Sequence, residues 1–168
     1  KRMPVVLDVL CGSNKPLGNA VRRLNTPHTP VSALHVDPDG EQAPYYRRAD
    51  LYLGKAGGIS VAEAMACGLP LILAFLLPGQ ERLNMERLQA LGCSRFAENI
   101  EQACRHLADW IANPQAREAA AAISKQWGRS DASYRIWQNI LAETPLEGFH
   151  AGELPEKLGA AASVSPEA

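Results

Sequence analysis

The sequence predicts an α/β protein, a parallel sheet of about five strands wound with helices on both faces. Three observations lead there. Short apolar runs of strand length alternate with longer segments at helical spacing, and glycine or proline punctuates nearly every junction. The stretch 69–75, LPLILAF, is apolar enough to read as a buried strand. Between 49 and 84 the order strand, glycine turn, helix, strand, polar loop makes a βαβ unit, so the arrangement is Rossmann-like.

In chain order, residues 5–10 form the first strand and Cys11-Gly12-Ser13-Asn14 a turn. A helix over 16–24 follows, with Pro16 near its start. Residues 30–36 form the next strand, ending at His35-Val36. Asp37-Pro38-Asp39-Gly40 contains Asp-x-Asp, a spacing that can hold a divalent metal, but proline and glycine make it a turn and no metal is expected. Residues 41–48 are a polar helical segment interrupted at Pro44. Strand 51–53 then leads to Lys55-Ala56-Gly57-Gly58. Ser60-Val61-Ala62-Glu63 fits a capping box, and Gly68 stops the helix.

After Asn84 a helix runs to about Leu91, with Gly92 as its stop, and 93–96 is the final strand. Ile100, Cys104, Leu107 and Ile111 recur at helical spacing over 99–112. Asn113-Pro114 opens an alanine-rich helix to Trp127, and Gly128 and Asp131 separate a last one. There Tyr134, Trp137 and Leu141 share a face, and the three tryptophans read as packing residues. Residues 1–143 make one domain, and 144–168, rich in Pro, Gly, Ala and Glu, a mobile tail.

Composition limits the function classes. At 168 residues and 46% apolar the chain can bury a substantial core. A net charge of −1 gives no electrostatic case for nucleic acid or an anionic membrane. Cys11, Cys67, Cys93 and Cys104 are widely spaced without Cys-x-x-Cys, which suits reduced, mostly buried thiols. No apolar run is long enough to span a bilayer, and no signal peptide is evident. The expectation is a cytoplasmic protein. The first residue is Lys1 and a strand begins almost at once, so a fragment of a longer chain is expected.

The chemistry sits at the carboxyl edge of the βαβ unit. A helix starting on Gly57-Gly58 suits an anion, because its first amides lack intrahelical partners, its dipole is positive there and bare backbone admits close approach. A plain βα turn would use the same two glycines. The second loop at that edge holds Gln80, Glu81 and Asn84, which can hydrogen-bond several hydroxyls at once and so suit a sugar.

The run KAGGISVAEAMACGLPLILAFLLPGQERLN resembles the donor-binding signature of the MurG and monogalactosyldiacylglycerol synthase family of GT-B glycosyltransferases. The shared pattern is a basic residue, a small-Gly pair, Ser/Thr, a helical Glu, Gly-Leu-Pro, then Pro-Gly-Gln-Glu with a following Asn. CGSN resembles the Cys-Gly-x-Asn that ends a donor-domain strand near the nucleotide in the lipid-galactosyltransferase branch, which brings in Gly12 and Asn14.

The resemblance implies that the amides of Gly57, Gly58, Ile59 and Ser60 hold the donor diphosphate and that Glu63 accepts the ribose hydroxyls. Gln80 and Glu81 would read the sugar, with Asn84 supporting their loop. Lys55 takes the family's basic position, and His35 would stand beside the uracil base. No residue has a claim as catalytic base, which would come from an N-terminal acceptor-binding domain or subunit. The family's first βα unit, with its own glycine loop, has no counterpart here. Pro44 and the long 37–40 turn also depart from the pattern.

The function expected is the donor-binding half of a glycosyltransferase moving a hexose from a nucleotide sugar, UDP favoured, to a lipid or lipid-linked hydroxyl. The nucleotide sugar is substrate, and neither cofactor nor metal is expected. Peripheral membrane contact would come through the missing part, and the fragment alone should not turn over. A hydrolase or epimerase on the same scaffold and a non-catalytic donor subunit are the alternatives. A nicotinamide-binding domain fits poorly, because no Gly-x-Gly-x-x-Gly follows the first strand.

Overall fold

Strands and helices alternate along the chain: β1 (Leu7–Leu10), α1 (Lys15–Arg22), β2 (Val31–Leu34), α2 (Ala43–Arg48), β3 (Tyr52–Gly54), α3 (Gly58–Ala66), β4 (Leu71–Ala74), α4 (Arg82–Leu91), β5 (Ser94–Ala97), α5 (Ile100–Ala112), α6 (Pro114–Trp127) and α7 (Ala132–Glu143). The computed structural model describes residues 5–27, 30–34, 42–76, 79 and 81–143. Two units form, Lys1–Gly128 and Arg129–Ala168. In the second, α7 carries Tyr134, Ile136, Trp137 and Ile140. The expected tail lies outside the described residues.

Among the described residues every strand pairing is parallel, as expected of βαβ connections. The five strands form two ladders, β1-β2 and β3-β4-β5. This differs from one continuous sheet, because among the described residues no strand pairs β1 with β3. The first ladder has a small core of its own, Cys11, Val21 and Val31. An ion pair, Arg48 Nη2 to Asp8 Oδ2 at 2.6 Å, ties α2 to β1.

β4 is buried at every position, and its alternate side chains feed two cores. Leu71 and Leu73 pack with Val61, Ala64, Met65 and Leu88 from α3 and α4. Ile72 and Ala74 pack with Ala103, Trp110 and Ala120 from α5 and α6. Helices therefore cover both faces of the three-stranded sheet, and each fully buried Leu or Ile here contributes about 2–5 kcal/mol against truncation to Ala.

The end of α3 is a Schellman motif. Leu69 N bonds Ala64 O and Gly68 N bonds Met65 O, each at 2.9 Å, with Gly68 at φ 72°. Gly92 closes α4 in the same left-handed region, φ 85°. Pro44 opens α2 in its first turn instead of interrupting it, where its missing N–H costs nothing.

Two expectations about packing are corrected. On α5 the buried face is Ala103 and Trp110 with Leu107 beside them, while Ile100 and Cys104 are exposed. Two apolar stripes run along this helix, and the one carrying Ala103 and Trp110 meets the sheet. Of the tryptophans, Trp110 is core, whereas Trp127 is half-exposed. Among the described residues no helix is long and apolar enough to cross a membrane.

Candidate functional site

The site is built where β3 and β4 end. β3 stops at Gly54, and Gly57 caps α3 in extended conformation, φ −67° and ψ 135°. The first intrahelical bond runs from Val61 N to Gly57 O, so the amides of Gly58, Ile59 and Ser60 precede the ladder. Neither glycine of the pair has positive φ, so the turn itself does not require them. What they supply is space: a Cβ on Gly58 would meet only Asn84 Nδ2, at 4.0 Å. Gly58 and Ile59 are exposed, and the backbone there is open to a ligand.

The capping box expected at Ser60–Glu63 does not form, because the helix begins three residues earlier, at Gly58, and Gly57 occupies the cap without a side chain. Ser60 and Glu63 are both inside α3. Glu63 is exposed on its surface and is not spent on the helix end.

The second loop comes back onto the first. Lys55 Nζ lies 2.9 Å from Glu81 Oε1, and Asn84 Nδ2 donates to Ala56 O at 3.1 Å. Residues 26 and 28 positions apart are thus joined around the glycines. The Glu81 side chain is only 6% exposed against 53% for Lys55. A carboxylate so buried is stabilised by its cation. A Cβ on Gly57 would sit 3.5 Å from Glu81 Oε1 and 3.7 Å from Lys55 Nζ, so acid and ammonium border the bare backbone. A cation beside helix amides can hold an anion, and a held carboxylate can accept from hydroxyls.

Two tyrosines that the sequence reading passed over lie beneath this site. Tyr46, in the last turn of α2, is 7% exposed. Its ring stacks on Tyr52 with centroids 6.2 Å apart and planes 20° from parallel. Burial above all, then the neighbouring Tyr52 and Glu63, pushes the Tyr46 hydroxyl up to about 12. Burial likewise raises Tyr52, with smaller upward effects from Glu81 and Glu63. Their signal in the sequence was an aromatic at the end of the helix entering β3 and another on β3 two residues before a glycine.

The raised Tyr46 value has a pH consequence. Between about 10 and about 12 the unfolded chain has lost this proton and the folded one keeps it. Its contribution is complete below pH 10 and is lost as pH rises through 12. Denaturant melts across this window should lose on the order of 2 kcal/mol through this group, and Tyr46→Phe should remove that part of the slope.

The remaining candidates are placed unevenly. Asn14 caps α1, its side-chain oxygen accepting from Leu17 N at 3.0 Å, so that oxygen is engaged. Gly12 takes φ 51° with open space where a Cβ would stand. Both belong to the turn after β1 in the other ladder. His35, the 37–40 turn and Gln80 lie outside the described residues. Among the described residues no cluster of three His, Cys, Asp or Glu could hold a metal.

A shallow cavity of about 390 Å³ lies elsewhere, against edge strand β5, lined by Gln89, Ser94, Arg95, Phe96, Gln102 and His106. Its polar groups are largely committed. Arg95 pairs with Asp109, His106 Nε2 is 3.0 Å from Phe96 O, and Gln102 Oε1 accepts from Glu98 N. These contacts blunt an exposed sheet edge and do not assemble a site.

A parallel α/β domain with an open glycine turn at a helix start and a Lys–Glu pair across it is of the Rossmann-like α/β class. Residues 9–133 match the Glycosyltransferase family 28 C-terminal domain, and the chain belongs to that family. It is 32% identical over 107 residues to monogalactosyldiacylglycerol synthase 3, chloroplastic, of Arabidopsis thaliana, covering 64% of this chain and 22% of that protein. It is 26% identical over 144 residues to the processive diacylglycerol beta-glucosyltransferase of Bacillus pumilus (strain SAFR-032), covering 84% of this chain and 37% of that protein. Among solved structures, MurG of Acinetobacter baumannii superposes with a TM-score of 0.67 at 18% identity, over 84% of this chain and 42% of that one. That last likeness concerns the fold. The chain spans less than half the length of each of these proteins.

Proposed function

We propose that this chain is the donor-holding part of a glycosyltransferase that moves a hexose from a nucleoside diphosphate sugar, UDP favoured, to a lipid hydroxyl. The observation that carries the reading is the closure of the Glu81–Asn84 segment onto the Lys55–Gly58 turn through the Lys55–Glu81 and Asn84–Ala56 contacts. One edge of the sheet then offers amides and a cation to a diphosphate, and a carboxylate to hydroxyls. The two named relatives act, by their names, on diacylglycerol with different hexoses. That supports a diacylglycerol-type acceptor.

As the glycosidic bond breaks, the leaving nucleoside diphosphate gathers negative charge. The α3 amides and dipole, with Lys55 beside them, stabilise that charge where it develops. A base from an N-terminal acceptor-binding domain removes the acceptor proton. Glu63 and Glu81 hold the donor and do not act as an acid–base couple. The chemistry needs no resident cofactor or metal in this part.

Calorimetric titration of the full-length protein with UDP-, TDP- and GDP-hexoses tests the reading. UDP-hexose should bind at least about tenfold more tightly than the other two. Equal affinities, or none, would overturn the donor assignment. Steady sugar release without acceptor, as fast as with lipid, would favour a hydrolase.

A further inference from the structure

We propose that Phe75 is the apolar wall of the hexose subsite, its ring packing against a C–H face of the donor sugar while the Glu81 carboxylate takes the hydroxyls. The proposal rests on the donor-binding reading above and deepens it with a sugar contact that the polar groups do not supply.

The first observation is in the backbone. Among the described residues Phe75, immediately after β4, is the one non-glycine residue with positive φ, 60°. A bulky side chain is strained there, and glycine would make the same bend without a steric cost. The bend itself has a purpose. Leu71 and Leu73 face the core formed with α3 and α4, and Ile72 and Ala74 the core formed with α5 and α6. Strict alternation would send Phe75 to the first core and Leu76 to the second. Instead Leu76 packs against the first, and Phe75 is 64% exposed. The left-handed residue shifts the alternation by one position, which explains the bend and leaves the phenylalanine unexplained. Burial does not offset its strain, and a glycine would serve Leu76 as well.

The surroundings of Phe75 give the ring a use. Gly54 on β3 pairs with Leu73 on β4, so Phe75 leaves the sheet two positions past that pair. Adjacent strands lie about 4.8 Å apart, which sets the Phe75 backbone next to the Lys55–Ala56 segment. The chain that starts at Phe75 returns to that same segment, Glu81 pairing with Lys55 and Asn84 bonding Ala56 O. An exposed ring and a held carboxylate thus stand at the two ends of one loop, at one edge of the sheet. A pyranose has matching chemistry: hydroxyls around its rim, and a face of C–H bonds that suits the negative face of an aromatic ring. An acyl chain would match the ring but not the carboxylate, and a phosphate would match neither.

The test is calorimetric affinity of the full-length protein for UDP-hexose and for UDP, with thermal melts, for wild type, Phe75→Gly, Phe75→Ala and Phe75→Tyr. Glycine removes ring and strain together, whereas alanine removes the ring and keeps the strained Cβ. Both should weaken UDP-hexose binding about fivefold to tenfold and leave UDP within about twofold, although Phe75→Gly melts at a higher temperature than Phe75→Ala. Phe75→Tyr, which keeps the ring, should bind both ligands as wild type does. Losses that follow the melting temperatures, or that fall equally on UDP, would overturn the proposal, since a merely structural phenylalanine would give them. So would unchanged UDP-hexose affinity, or an effect confined to the KM of the lipid acceptor, which would give the ring to the lipid instead. Should Phe75→Ala fold poorly, Phe75→Gly decides alone, with Phe75→Tyr as its control. Wild type that binds neither ligand refutes the donor reading, whereas wild type that binds, with Phe75→Gly neutral, refutes this proposal alone.

Discussion

Replacing Gly58 with valine should lower nucleotide-sugar affinity about a hundredfold or more while moving the melting temperature by no more than a few degrees. The fold has no steric objection to the side chain. A Cβ there meets only Asn84 Nδ2 at 4.0 Å, and the position is in the first turn of α3 with no left-handed φ. The ligand does object, because the branched side chain would stand over the amides of Gly58, Ile59 and Ser60. Paired thermal melts and calorimetry separate the two effects. An unchanged affinity would mean that no ligand approaches this backbone.

The second large effect falls on stability. At Gly128 a Cβ would overlap the Met65 carbonyl and the Ala66 nitrogen, backbone atoms that cannot rotate away. Gly128 has ordinary dihedrals, φ −63° and ψ 143°, so its glycine is required for close approach and not for conformation. Gly128→Ala should cost about 3 kcal/mol and lower the melting temperature by roughly 10 °C. The contact presses the end of α6 onto the end of α3, the helix whose other end is the candidate site. Donor binding should weaken too, but only as far as folded protein is lost. A melting temperature equal to wild type would show that the two helix ends are not in contact.

How much of this was legible beforehand follows from locality. Gly68 and Gly92 announced their helix ends, because a left-handed cap is a property of one residue and its neighbours. The all-apolar 69–75 run announced β4 for the same reason. The capping box at Ser60 was misread because two competing caps lay within four residues, and the bare Gly57 took the position. On α5 the two apolar stripes satisfy the same period, and only the packed sheet selects Ala103 and Trp110. The division into two ladders is a matter of which strands pair, which no strand encodes in its own composition. Lys55 and Glu81 were each named as candidates, but their pairing across 26 residues emerges only in the fold. Tyr46 was passed over for a similar reason: it is buried against α3 and stacked on Tyr52 of the next strand, and an isolated tyrosine carries no mark of either.

Backbone amide NMR of the full-length protein, titrated with UDP-hexose, tests the central claim most directly. The amides of Gly57, Gly58, Ile59 and Ser60 should shift most, with Glu81 and Asn84 moving alongside them and Ser94–His106 staying still. Shifts confined to the β5 cavity, or a glycine turn indifferent to saturating nucleotide sugar, would contradict it.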